Sequence, residues 1–153
     1  MNLMDLIQPE CVKVPLVSTE KREIIDELVG VLSEAGLVND SKALADAVWS
    51  RECTRTTGIG LGLAIPHGKT ASQERVVLAI GKPKEPVDFE ALDGQMVKLV
   101  VLLASPVDKN SEHISTLAAI SRMMTVPEFR EQMYEAATSE QIIDLIRGQS
   151  AAV

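Results

Sequence analysis

The chain has 153 residues but only two histidines, His67 and His113, and each lies where an imidazole could do work. His67 ends the stretch "GIGLGLAIPH" and stands between Pro66 and Gly68. Proline cannot donate to a strand ladder and fixes its own φ, so it should end a strand and stiffen the exit. Gly68 leaves the far side of the ring uncrowded. An imidazole mounted this way is fixed, partly exposed and suited to nucleophilic attack. The competing assignment is a loop histidine hydrogen-bonded to a carbonyl. His113 lies near the start of a predicted helix that follows an apolar run ending at Ser105-Pro106. Helix N-termini favour anions, phosphate especially, and ligands of open α/β sheets gather at the carboxyl ends of strands. The two rings can meet at one sheet edge if their strands run parallel. Otherwise His113 is a solvated first-turn residue.

Three glycines, Gly58, Gly60 and Gly62, precede His67 at alternate positions. A dinucleotide fingerprint needs G-x-G-x-x-G after a strand and opening a helix. Here the spacing is G-x-G-x-G and the preceding "RECTRTT" is polar. "GLAIPHGKT" ends like a P-loop, but an apolar run with one residue too many replaces the flexible loop. The remaining reading is a strand whose glycine face is open to a neighbouring backbone or another molecule's surface. Leu61, Leu63 and Ile65 would then point into the core.

The elements that must position these residues follow from periodicity. Val12, Val14 and Leu16 alternate as in a half-buried strand. Ser18 or Thr19 is placed to cap a helix with Glu20 and Glu23 in its first turn, Ile24, Ile25, Leu28, Val29, Leu32 and Ala35 at helical spacing, and Gly36 as its stop. A second helix is predicted from Asn39-Asp40-Ser41 to about Arg51, with Leu44, Ala47 and Val48 inward. "VVLAIG" (76–81) and "VKLVVLLAS" (97–105) are short, β-branched runs of the kind found in strands buried on both faces, and "LDG" (92–94) is a tight turn. Asn110 or Ser111 should cap a third helix with Ile114, Leu117, Ala118 and Ser121 on one face. Pro127 suits the first turn of the next helix. Thr138-Ser139-Glu140-Gln141 has capping-box spacing ahead of a last helix that Gly148 should end. The predicted fold is α/β, a single three-layer domain with a central mixed sheet of about five strands flanked by helices.

Composition narrows the function classes. Hydrophobic residues make up 46% of the chain and aromatics only 3%, so the core must be aliphatic. The net charge of −7 argues against nucleic-acid binding, which needs a basic face. No apolar stretch reaches the roughly 18–20 residues that span a bilayer. The first ten residues hold no Lys or Arg, unlike a secretory signal. Cys11 and Cys53 are too few for a disulfide scaffold or zinc site and read as reduced thiols, so a cytoplasmic location is expected.

The segment "SRECTRTTGIGLGLAIPHGKT" resembles the active-site segment of the enzyme IIA proteins of the bacterial phosphoenolpyruvate-dependent phosphotransferase system, in the mannitol/fructose/nitrogen-regulatory class (EIIA type 2). The resemblance continues through "LMDLIQPECVKV", "VDFEALDGQMVKLVVLLASP", "EHISTLAAISRMM" and "AATSEQIIDLI", covering essentially the whole chain. It implies one such domain over 1–148 and a frayed tail over 149–153. It also implies a phosphotransferase component: His67 accepts a phosphoryl group from the histidine-containing phosphocarrier protein, as tele-phosphohistidine on Nε2 with Nδ1 held by the backbone. His113 would stabilise the phosphoryl oxygens, Arg51 would supply a supporting charge, and the "GIGLG" glycines would form a docking surface. No metal or cofactor is implied, since the phosphoryl group comes from phosphoenolpyruvate through enzyme I and the phosphocarrier protein. The expected downstream role is that of a free-standing nitrogen-regulatory component, whose phosphorylation state is read by a kinase or ion transporter. The alternative is a fructose- or mannitol-type IIA that passes the group to a IIB cysteine for sugar uptake. Neither role involves nucleic acid or direct membrane insertion.

Overall fold

The computed structural model describes residues 3–151; Met1, Asn2, Ala152 and Val153, which include the start of the expected domain and the end of the expected tail, lie outside the described residues. Two short 3-10 turns, Leu3–Asp5 and Pro9–Cys11, lead into β1 (Val12–Leu16), α1 (Lys21–Glu34) and α2 (Ser41–Thr54). Then come β2 (Gly58–Gly60), β3 (Leu63–Ala64), β4 (His67–Thr70), β5 (Val77–Pro83) and β6 (Leu99–Pro106). Three helices finish the chain: α3 (Asn110–Met123), α4 (Pro127–Glu135) and α5 (Ser139–Ala151).

The sheet is mixed and has six strands, in the order β1-β5-β6-β3-β2, with β4 also on β6. β3 and β4 both run parallel to β6, pairing Leu63 with Leu99 and His67 with Leu103. They are one line of strand interrupted at Ile65-Pro66, and the Pro66 carbonyl still accepts the Leu103 N–H at 3.0 Å. β5 is antiparallel to β6 and parallel to β1. Every residue of β6 is buried, as its unbroken apolar run predicts. Side chains alternate across it. Leu99, Val101 and Leu103, with Leu78 and Ile80 of β5, join the core beneath α4 and α5. Val100, Leu102 and Ala104, with Val77 and Ala79, join the core beneath α1 and α2. The three-layer expectation therefore holds, with one more strand than expected.

Several local expectations are corrected. Neither Ser18 nor Thr19 caps α1, whose N-cap is Glu20 without a side-chain bond. The Glu27 carboxylate instead reaches back and accepts the Val17 and Ser18 N–H groups at 3.0–3.2 Å. α2 is capped by Asp40, which accepts the Ala43 N–H at 3.0 Å, and it continues past Arg51 to Thr54. Gly36 does close α1, at φ +75°. The buried face of α3 is His113, Thr116 and Ile120, while Ile114 is exposed; the stripe starts at the histidine, one position before the expected one. The capping box forms reciprocally: Gln141 N–H donates to Thr138 Oγ1, and Thr138 N–H donates to Gln141 Oε1, both at 3.2 Å. Gly148 does not end α5, which runs on to Ala151.

Candidate functional site

The glycine stretch is a hairpin rather than one strand. Gly60, Leu61 and Gly62 take left-handed φ values of 109°, 60° and 85°, turning the chain from β2 back into antiparallel β3. Asp93 Oδ2 accepts the Leu61 N–H at 2.9 Å, and the Tyr134 hydroxyl donates to the Leu61 carbonyl. The glycine faces are filled by the protein itself. A Cβ at Gly58 would lie 2.9 Å from the Ala91 Cβ, at Gly60 3.0 Å from Asp93 Oδ2, and at Gly62 3.0 Å from the Tyr134 hydroxyl. The open face expected of Gly58, Gly60 and Gly62 is thus corrected: these residues are buried, and Leu61, expected inward, is 45% exposed beside Ile59 at 44%. Leu92, whose N–H donates to the Gly58 carbonyl at 3.0 Å, adds another exposed apolar side chain there.

His67 follows this hairpin as the first residue of β4. Gly68 is required because α2 lies against β4, and a Cβ there would sit 3.0 Å from the Val48 backbone nitrogen. That close approach brings the Arg51 end of α2 toward the histidine. The His67 Nδ1 lies 2.7 Å from the Ile65 carbonyl oxygen. A carbonyl only accepts, so Nδ1 carries the proton and Nε2 of the neutral ring holds the lone pair. Burial pushes the His67 pKa below its ordinary value, the Ile65 bond opposes it, and the charges of Arg51 and Lys69 push the same way as burial, against Glu52. The ring is uncharged at neutral pH.

The parallel strands do bring the histidines together, with ring centroids 5.2 Å apart and planes at 65°. His113 is buried, and its Nδ1 lies 2.7 Å from Ser105 Oγ. Burial, then the neighbouring His67 and Lys69, push its pKa down to about 4. Arg51 stands in the last turn of α2, half-buried, with Nη1 donating to the Arg55 carbonyl at 2.9 Å.

Three further residues complete the site. Glu52 is buried and accepts both the N–H and the hydroxyl of Thr57 at 2.6 Å, with Lys21 Nζ at 3.7 Å. The Thr57 carbonyl in turn takes the Ile65 N–H at 3.0 Å, so Glu52 is linked through Thr57 and Ile65 to the His67 ring. Its place four residues after Val48, itself four after Leu44, on the inward stripe of α2 was the available signal. Lys69 donates to Asn110 Oδ1 at the start of α3. Ser105 is wholly buried at the end of β6, and only its place before Pro106 marks it in the sequence. Among the described residues, no group of three or more His, Cys, Asp or Glu could hold a metal ion, and no helix is long and apolar enough to cross a membrane.

The chain is similar to known proteins in sequence and in fold. The chain is 40% identical over 146 residues to the fructose-specific EIIABC component of the phosphotransferase system of Bacillus subtilis (strain 168), spanning 95% of this chain and 23% of that protein. It is 30% identical over 146 residues to a nitrogen regulatory protein of Bradyrhizobium diazoefficiens, spanning 95% of each. Among solved structures, the nitrogen regulatory protein IIA-Ntr of Neisseria meningitidis superposes with a TM-score of 0.87 at 24% identity, over 94% of this chain and 98% of that one, which shows a shared fold. Residues 5–149 match the family described as the phosphoenolpyruvate-dependent sugar phosphotransferase system, EIIA 2, and the chain belongs to that family.

Proposed function

We propose that the protein is a phosphocarrier whose His67 Nε2 accepts a phosphoryl group from the histidine-containing phosphocarrier protein and passes it on. One observation carries this reading: Nδ1 is committed to the Ile65 carbonyl at 2.7 Å, which leaves Nε2 as a fixed lone pair on an uncharged ring. The Nε2 lone pair forms the new N–P bond in line as the donor's N–P bond breaks, and that electron pair returns to the donor imidazole. The proton stays on Nδ1, hydrogen-bonded to the Ile65 carbonyl, during attack, and the positive charge that the new N–P bond leaves on the ring is shared with that carbonyl. Charge spreads over three equatorial oxygens in such a transition state, and the protein's part is positioning and neutralisation. His113 is placed to bond one of those oxygens, and Arg51 and Lys69 supply positive charge. Ile59 and Leu61, rather than the glycines, are the apolar side chains available for docking the donor.

Onward transfer to the cysteine of a fructose-type IIB is favoured by the 40% identity to a fructose-specific protein, against 30% to a nitrogen regulatory protein. Regulation by phosphorylation-dependent partner binding is the second reading, supported by the 30% identity to a nitrogen regulatory protein. Incubation with phosphoenolpyruvate, enzyme I and the phosphocarrier protein should add one phosphate, stable to base and labile to acid. His67→Ala should abolish it while keeping the fold. An unlabelled wild type, or a labelled His67→Ala, overturns the assignment. Adding a fructose-type IIB then separates the two roles: phosphate moves to its cysteine or stays on His67.

A further inference from the structure

Ser105, next to last in β6, is fully buried, and among the described residues its hydroxyl has one hydrogen-bonding partner, His113 Nδ1 at 2.7 Å. Two arrangements are possible. In the first, Nδ1 carries the proton and donates to Oγ, which leaves the hydroxyl proton buried without an acceptor. In the second, the hydroxyl donates to a bare Nδ1 and the ring proton sits on Nε2. A buried donor without a partner carries its full desolvation penalty, whereas a hydroxyl oxygen with an unused lone pair is a milder fault.

We infer that Ser105 is a positioning residue that holds His113 as the Nε2–H tautomer, so that this ring is a hydrogen-bond donor in the space it shares with His67. His67 is held in the opposite tautomer by the Ile65 carbonyl. With Nδ1 of each ring committed, the two Nε2 atoms are what the pair can offer a bound group: a lone pair from His67 and an N–H from His113, on rings with centroids 5.2 Å apart. Burial keeps His113 neutral, so its donor comes from tautomer choice rather than from charge. The tautomer stands on the geometry around Ser105; the use of the N–H, to bond a phosphoryl oxygen, rests on the phosphohistidine reading above.

Long-range 1H–15N correlation spectra of the unphosphorylated, 15N-labelled protein near pH 7.5 test the tautomers directly. The expected result is a pyridine-like Nδ1 and pyrrole-like Nε2 for His113, and the reverse for His67. An Nδ1–H tautomer at His113 in the wild type overturns the inference, and this needs no variant. In Ser105→Ala, the His113 shifts should move toward an average of the two tautomers while those of His67 keep their pattern; Ser105→Thr should retain the wild-type pattern. Phosphorylation of His67 should slow roughly 10- to 100-fold in Ser105→Ala, as for partners that orient metal-bound histidines, and recover in Ser105→Thr. An unchanged His113 tautomer in Ser105→Ala, or an unchanged rate despite a changed tautomer, also overturns it. Because the spectra are read without phosphate, failure of wild-type His67 to accept phosphate would sink the functional reading and leave the tautomer result to be judged alone.

Discussion

His67 and His113 are two neutral rings held close together, and the cost of charging either decides how they respond to acid. Burial is the largest cause in both, and it holds His113 down at about 4 against an ordinary 6.5. The sign follows from linkage. Below pH 6.5 the unfolded chain takes up the proton first, so stability is complete above about 6.5 and declines as pH falls toward 4. Urea titrations of the wild type should show that decline, and His113→Gln should flatten part of it. A wild type whose stability is level from pH 7 to 4.5 would mean that the rings are solvated. An NMR titration should likewise place the His67 pKa below 6.5. In transfer assays His113→Ala should slow phosphorylation roughly 100- to 1000-fold, the size of one lost donor to a developing oxyanion. Its affinity for the donor protein should change little, because the side chain is buried.

The β2–β3 hairpin is the element that delivers His67, and its glycines answer to internal geometry. Gly60 and Gly62 sit at φ 109° and 85° with Asp93 and Tyr134 packed against them. Gly60→Ala and Gly62→Ala should each lose about 1–3 kcal/mol for a strained backbone position, measured by chemical denaturation. Ile59→Ser with Leu61→Ser should stay within about 0.5 kcal/mol per site and yet raise the KM for the protein donor. If Gly60→Ala blocks transfer at unchanged stability, the open-face reading returns. These residues also mark where sequence reasoning stopped. The strands β1, β5 and β6 and the capping box of α5 were legible because period and cap chemistry are local. The hairpin was not, since G-x-G-x-G has the same period of two as a strand and positive φ leaves no mark in hydropathy. The stripe of α3 was misjudged for a related reason: its buried face begins with His113 and Thr116, which an apolar count passes over. Both histidines could be found from sequence as scarce residues at punctuated positions. Glu52 and Ser105 could not be given roles, because a buried polar residue and a solvated one look alike until the partner is known.

At the scale of the whole molecule, the site depends on both layers at once. His113 comes from α3 on one face of the sheet and Arg51 and Glu52 from α2 on the other, with β4 and β6 between them. β6 is buried on both faces and sends Leu102 into one core and Leu103 into the other, so neither core can loosen without disturbing the strand they share. Cooperative unfolding of both layers together is the consequence. The chain has a probe for each: its one tryptophan, Trp49, packs against the α1/α2 core, and its one tyrosine, Tyr134, against the other. Leu102→Ala removes apolar volume on the first side and Leu78→Ala on the second, and each should lower stability by about 2–5 kcal/mol, as buried leucine truncations do. The sharper expectation concerns the midpoints. In either variant, Trp49 fluorescence, Tyr134 absorbance and far-UV circular dichroism should report one urea transition, displaced by the same amount for all three. Separate midpoints, with Trp49 moving early only in Leu102→Ala and Tyr134 early only in Leu78→Ala, would show two layers that unfold independently. The site would then be assembled by docking two separately stable halves rather than built into a single cooperative sheet.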